Sequence, residues 1–178
     1  LGAGGVVHAI GGEARTAHQV YDPAGNWWSA GPASPRIRFA SAATVLNGRL
    51  HLIGGWNYDN GASASLASHD MFDPTTGAWT PLAPLATARN AAAATVLDGR
   101  IVVIGGRAPG IRAADQTSLA SCEVYDPGAD HWTEGAPLPQ ARAGLAAVML
   151  GGHVYTMGGE SMLGGVSAAV TRLDSLTG

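Results

Sequence analysis

Arginine is the residue whose type and spacing in this sequence could do chemistry. Arg38, Arg89 and Arg142 each stand ten residues after a tryptophan, namely Trp28, Trp79 and Trp132. A guanidinium presents planar, bidentate donors that match a carboxylate or a phosphate. Arg36 lies two residues before the first of them, while Arg15, Arg107 and Arg112 fall in segments of variable length. Trp56, Tyr58 and Asp59 lie together in another such segment, where aromatic faces would pack a sugar ring or a peptide. The candidate ligand-binding residues are therefore Arg38, Arg89, Arg142, Trp56, Tyr58, Asp59, Arg107 and Arg112. A second reading competes with this one. One arginine per repeat at a fixed place suits a scaffold role, bonding loop carbonyls, and Arg107 and Arg112 suit solvated charges equally well.

The other reactive residue types point away from catalysis. His8 and His51 occupy equivalent places, as do His18 and His69, but Val102 and Cys122 stand there next, followed by Tyr155 and Val170. Apolar replacements mark packing positions, so no metal site is expected. Cys122 is the single cysteine, which excludes an intrachain disulfide and a multi-cysteine metal site. No Gly-rich phosphate loop opens a helix and no Gly-x-Ser-x-Gly elbow occurs, so no catalytic residue and no cofactor is assigned.

These residues sit in a repeat. Paired glycines close four apolar runs, at Gly11-Gly12, Gly54-Gly55, Gly105-Gly106 and Gly158-Gly159. The first three are followed by Tyr21-Asp22-Pro23, Phe72-Asp73-Pro74 and Tyr125-Asp126-Pro127, each with its tryptophan six residues after the aspartate. The fourth repeat is degenerate, with Leu173-Asp174-Ser175 in place of the aromatic triplet. The full set in register resembles the Kelch-repeat family along essentially the whole chain. The resemblance implies an all-β propeller with one four-stranded antiparallel blade per repeat of roughly 50 residues. About 3.5 blades are expected in one partial propeller over 1–178: blade 1 at about 5–30, blade 2 at about 38–83, blade 3 at about 89–136 and blade 4 at about 142–174. The ring is then incomplete in this chain, to be closed by a missing segment or by another chain.

Four strands, A to D, are expected per blade, with no helix beyond a single turn. In the second repeat, A covers about Phe39–Leu46, B about Arg49–Ile53, C about His69–Phe72 and D about Trp79–Leu82. Asn47-Gly48 and Asp98-Gly99 are two-residue hairpin signals joining A to B. The first repeat is expected to open in strand B at about Gly5. Strand A is nearly all small residues, as an innermost strand crowded around an axis requires. The up-and-down order puts the A–B and C–D turns on one face, and the variable B–C loops with the D–A loops on the other. Variable loops on a rigid scaffold tend to carry function, so the second face is the candidate binding face. Arg38, Arg89 and Arg142 are expected to converge there around the central mouth.

Composition narrows the partners. A hydrophobic fraction of 46% excludes a disordered chain. A net charge of −3 provides no basic footprint for nucleic acid, and no apolar run approaches a membrane span. All ten basic residues are arginine, which together with abundant Ala and Gly suggests a bacterial, GC-rich coding sequence. No leader is visible ahead of Leu1, and one cysteine fits the cytosol or secretion alike. Since many Kelch propellers are interaction domains, the resemblance favours a binding module for a protein or peptide, in keeping with an acidic one. The alternatives are a carbohydrate-active propeller enzyme of the sialic acid mutarotase type and a structural part of a larger assembly. A copper-dependent oxidase of the galactose oxidase type would need Tyr, His and Cys ligands that these scattered residues do not supply.

Overall fold

The computed structural model describes residues 2–12, 16–59, 62–109, 116–162 and 164–173, and of Tyr58, Asp59, Ala62 and Ser63 the backbone alone. The described residues contain strands and no α-helix. The first sheet comprises β1 (Gly2–Ala3), β2 (Val6–Ile10), β3 (His18–Asp22) and β4 (Trp27–Ala30). The second comprises β5 (Ala42–Leu46), β6 (Arg49–Ile53), β9 (His69–Asp73) and β10 (Ala78–Leu82), with the hairpin β7 (Trp56–Asp59) and β8 (Ala62–Ser65) set between β6 and β9. The third comprises β11 (Ala93–Leu97), β12 (Arg100–Ile104), β13 (Cys122–Asp126) and β14 (His131–Gly135). In the fourth, β15 (Ala146–Leu150) pairs with β16 (His153–Met157) and β16 with β19 (Val170–Leu173), while β17 (Glu160–Ser161) and β18 (Gly165–Val166) form a second small hairpin. Every pairing is antiparallel and joins strands in up-and-down order. The sheets are propeller blades, and the innermost strands β5, β11 and β15 lie side by side.

Two details differ from the sequence reading. The first blade has one strand more than assigned, because Gly2 and Ala3 pair with Val7 and Val6. Strand A of the second blade is shorter than Phe39–Leu46, because Ala40 adopts a φ of 48° and breaks the extended run. Ala91 (50°) and Gly144 (63°) repeat that conformation at equivalent places. The kink has a use: the Ala91 amide bonds the Ala40 carbonyl at 2.8 Å, and the Gly144 amide bonds the Ala91 carbonyl at 2.8 Å. A left-handed L-residue costs about 1–2 kcal/mol, and here it carries a backbone ladder from blade to blade.

The core is divided into slabs between blades. Along β12, Ile101 and Val103 face the second blade, packing with Ala42, Leu46, Ile53 and Trp132. Val102 and Ile104 face the fourth, packing with Leu138, Leu145 and Val154. A strand buried on both faces reads as a continuous apolar run, which is what Ile101-Val102-Val103-Ile104 is. The tryptophans of strand D lock these slabs. Trp132 Nε1 donates to the carbonyl of Ala83, in the loop leaving the second blade, at 2.8 Å. Trp79 Nε1 does the same to Pro32 at 3.1 Å, one blade earlier. Their exposures differ: Trp132 is 7% exposed, Trp79 half-buried, and Trp28 is 55% exposed.

That gradient sets an expected order of stability losses. Trp132→Ala costs about 3–5 kcal/mol, the range of a buried tryptophan truncation; Trp79→Ala costs less, and Trp28→Ala least. Urea unfolding of the three variants checks the order, and a reversal would remove the tryptophan lock from the account of blade packing.

Candidate functional site

The B–C and D–A loops meet on one face, as isolated bridges between Phe39 and Trp56, Asn90 and Arg107, and Ala143 and Glu160 show. Arg38, Arg89 and Arg142 lie there, each four residues ahead of an innermost strand, but their side chains are folded into their own blades and are 1–2% exposed. Arg89 Nη1 donates to the carbonyls of Gly105 and Ser121, both at 2.9 Å, where β12 ends and β13 begins. Its Nη2 pairs with Glu123 at 2.7 Å. Arg38 bonds the carbonyls of Leu52 and Gly54 and pairs with Asp70. The main chains of Arg89 and Arg142 serve the preceding blade: the amides of Gly55 and Gly106 bond their carbonyls, each at 2.8 Å. In the second and third blades the first glycine of the pair is required by the same contact. A Cβ on Gly105 would stand 2.5 Å from the Arg142 carbonyl oxygen, at a φ of +62°.

The partner carboxylates escaped the sequence reading. Asp70 and Glu123 each stand two residues before the strand-C aromatic, Phe72 or Tyr125, and that recurrence was the available signal. Glu123 also accepts the amides of Ala86 and Thr87 at 2.7 and 3.1 Å. Asp70, one methylene shorter, instead receives Arg36 Nε at 3.2 Å. In the fourth blade the equivalent residue is Thr171. Arg142 there donates to the carbonyls of Gly158 and Ala169 and to the hydroxyls of Thr156 and Thr171, all neutral.

The other candidates divide. Trp56 is half-buried and starts β7, with Tyr58 and Asp59 on the same strand. Arg107 is partly exposed and pairs with Glu160 of the fourth blade's hairpin, a partner the sequence did not reveal. Arg112 lies outside the described residues, as does Arg15. The loops are tied further: Asn90 Nδ2 donates to Ser65 Oγ at 2.9 Å, and the Met162 amide to Ser118 Oγ at 3.2 Å. A cleft of about 440 Å³ opens on this face beside Arg142, walled by Gln140, Ala141, Ser161, Gly164, Gly165, Val166 and Ser167. A second, of about 350 Å³, lies between the first two blades, where the charged lining residue, Arg38, is already paired with Asp70.

Four of the six histidines form two buried pairs. His8 Nδ1 and His18 Nε2 are 2.8 Å apart, as are His51 Nδ1 and His69 Nε2. His18 stands edge-on to Phe72 and Trp79 of the next blade, and His69 to Tyr125 and Trp132. Burial, then the charge of Arg49, lowers His51 from 6.5 to about 4; burial, then His51, lowers His69 to about 3. The described residues contain no group of three or more metal-ligating side chains. Burial pushes the Cys122 thiol up to about 11, which keeps it protonated and inert. No helix among the described residues is long and apolar enough to cross a membrane.

The Kelch motif matches at residues 37–86 and 88–139. The chain belongs to the Kelch-repeat family. It is 27% identical over 157 residues to Kelch-like protein 36 of Rattus norvegicus, covering 86% of this chain and 25% of that one. It is 34% identical over 143 residues to Kelch-like protein 33 of Homo sapiens, covering 80% and 25%. The chain thus spans about a quarter of the length of these relatives. The solved structure of YjhT superposes with a TM-score of 0.77 at 18% identity, over 99% of this chain and 66% of that one, and so shares its propeller fold.

Two outcomes follow from this geometry. Arg89→Ala strands Glu123 buried and unpaired, a loss on the order of 3–5 kcal/mol, whereas Arg142→Ala strands no carboxylate and costs less; chemical denaturation of both ranks them. The histidine pairs make stability depend on pH. Their folded pKa values lie below the ordinary 6.5, so their contribution is present above 6.5 and drains as pH falls from there towards about 4. Thermal melting should fall across that window, and a His51→Val/His69→Cys variant, which copies the third blade's Val102 and Cys122, should flatten the slope. An unchanged slope would overturn the neutral-pair account.

Proposed function

We propose that this chain is a binding module whose B–C and D–A loops form the recognition face for a protein or peptide partner carrying an acidic group. The observation that carries the reading is the cross-tying of the variable loops. Arg107 to Glu160, Asn90 to Ser65 and Ser118 to Met162 join segments of different blades into one rim. Loops held this way lose little freedom on binding, which is how preorganisation raises affinity. The rim offers mixed chemistry: the half-buried indole of Trp56, the guanidinium of Arg107, and the exposed side chains of Met162 and Val166. The opposite face carries short turns, whose Arg49–Asp73 and Arg100–Asp126 pairs are repeated and solvent-exposed.

The test is selection of a random displayed-peptide library on the chain, followed by affinity measurement on variants. Selected peptides should be enriched in Asp or Glu. Trp56→Ala and Arg107→Ala should each weaken them by about tenfold, equivalent to 1.4 kcal/mol, with melting unchanged, while Arg49→Ala on the far face leaves binding intact. Peptides that lose affinity to Arg49→Ala and ignore the rim variants would move recognition to the other face.

A further inference from the structure

The fourth blade breaks the rule the second and third keep. Arg38 and Arg89, each 1% exposed, have their charge neutralised by Asp70 and Glu123. Arg142 is 2% exposed, and Thr171 occupies the place of the carboxylate. Its Nη groups are satisfied by hydrogen bonds of 2.8 to 3.2 Å to two carbonyls and two hydroxyls. Those acceptors are neutral, and Nε is buried without a partner. Arg38 Nε is also unpartnered, but Arg38 has its carboxylate. Hydrogen bonds compensate the polarity of Arg142 and leave its net charge uncompensated, which is the costly part of burying an ion. Glu160, the acid at the start of the adjoining hairpin, is engaged by Arg107.

The cleft of about 440 Å³ lies against this arginine, within the size range of small-ligand sites. Its remaining polar lining, Gln140, Ser161 and Ser167, is neutral. Gln140 also stands, two residues before the arginine, where Thr87 stands in the third blade, and the Thr87 amide is one of those that Glu123 accepts. In the third blade the carboxylate of Glu123 is shared between Nη2 of Arg89 and two loop amides, while Nε of Arg89 donates to the Thr87 carbonyl at 3.3 Å; the Nε of Arg142 has no such acceptor.

We propose that the cleft beside Arg142 is a carboxylate site, in which an external carboxylate supplies what Asp70 and Glu123 supply internally. The Nε–H of Arg142 donates to one oxygen, and the Gln140 amide with the Ser161 or Ser167 hydroxyl serves the other. The carboxylate comes from an acidic side chain of a bound peptide or from a small free acid, and this proposal rests on the loop face being the binding face.

The experiment uses the full chain, labelled with nitrogen-15, and three probes: a Glu-containing heptapeptide, its Gln counterpart, and sodium acetate. The Glu peptide should shift the Arg142 Nε–H signal and the Gln peptide should not. Thr171→Glu builds in the carboxylate of the third blade; it should melt at or above the wild-type temperature and bind the Glu peptide at least about tenfold more weakly. Arg142→Lys, which keeps the charge and removes Nε, should lose the same affinity. A shift with acetate alone supports the site and names a small acid as its ligand. A Glu peptide that binds folded Thr171→Glu as tightly as wild type overturns the site; if Trp56→Ala or Arg107→Ala still weakens it, the face reading survives. No binding of any probe together with no selected peptides removes both.

Discussion

The arginine that precedes the innermost strand is the contact on which the second and third blades depend, and in Arg89 it works in two directions. Its side chain gathers the end of strand B, the start of strand C and a buried carboxylate within one blade, as Arg89 does with Gly105, Ser121 and Glu123. Its carbonyl accepts the amide of the second glycine of the preceding blade, as Arg89 does from Gly55. One residue therefore fixes the internal order of a blade and its distance from its neighbour. That explains the first glycine of the pair in these two blades: Gly54 and Gly105 have no room for a Cβ beside the carbonyls of Arg89 and Arg142.

Because this contact repeats, it frees the rest of the loop face to vary. The B–C segments differ in length and content, yet each returns to the same glycine pair and the same strand-C entry. Between these anchors the second and fourth blades raise small hairpins, β7–β8 and β17–β18. The rim is then stitched from one blade to the next by Arg107 with Glu160 and Asn90 with Ser65. Rigidity comes from the repeated scaffold and chemical individuality from the loops, the division expected of a propeller that recognises a partner.

The interior shows how differently one position can be solved when the constraint is only space. Two blades place a histidine pair where the third places Val102 and Cys122 and the fourth Tyr155 and Val170. The imidazoles are neutral and wedge against the aromatic side chains of the next blade. Substituting Thr171 for the acid of strand C is a different kind of change. It keeps the hydrogen bonds of Arg142 and removes the countercharge, so it alters electrostatics where the histidine replacements alter packing.

The sequence by itself determined the blade pattern. Glycine pairs, aromatic-Asp-Pro turns and tryptophans at constant spacing are local requirements, each tied to a turn, a close approach or a strand position, so they are written together in the first three repeats. Asn47-Gly48 and Asp98-Gly99 announced their hairpins in the same way. What only the tertiary structure decided is where the charges point. Arg38, Arg89 and Arg142 sit at the loop face in the chain's order, but whether a long side chain reaches outward or inward depends on acceptors far along the chain: Asp70 is 32 residues from Arg38, and Glu123 is 34 from Arg89. The pairing of Arg107 with Glu160 spans 53 residues for the same reason. Spacing within a repeat encodes the fold, because the fold is built from neighbours; ion pairs join residues the fold alone brings together.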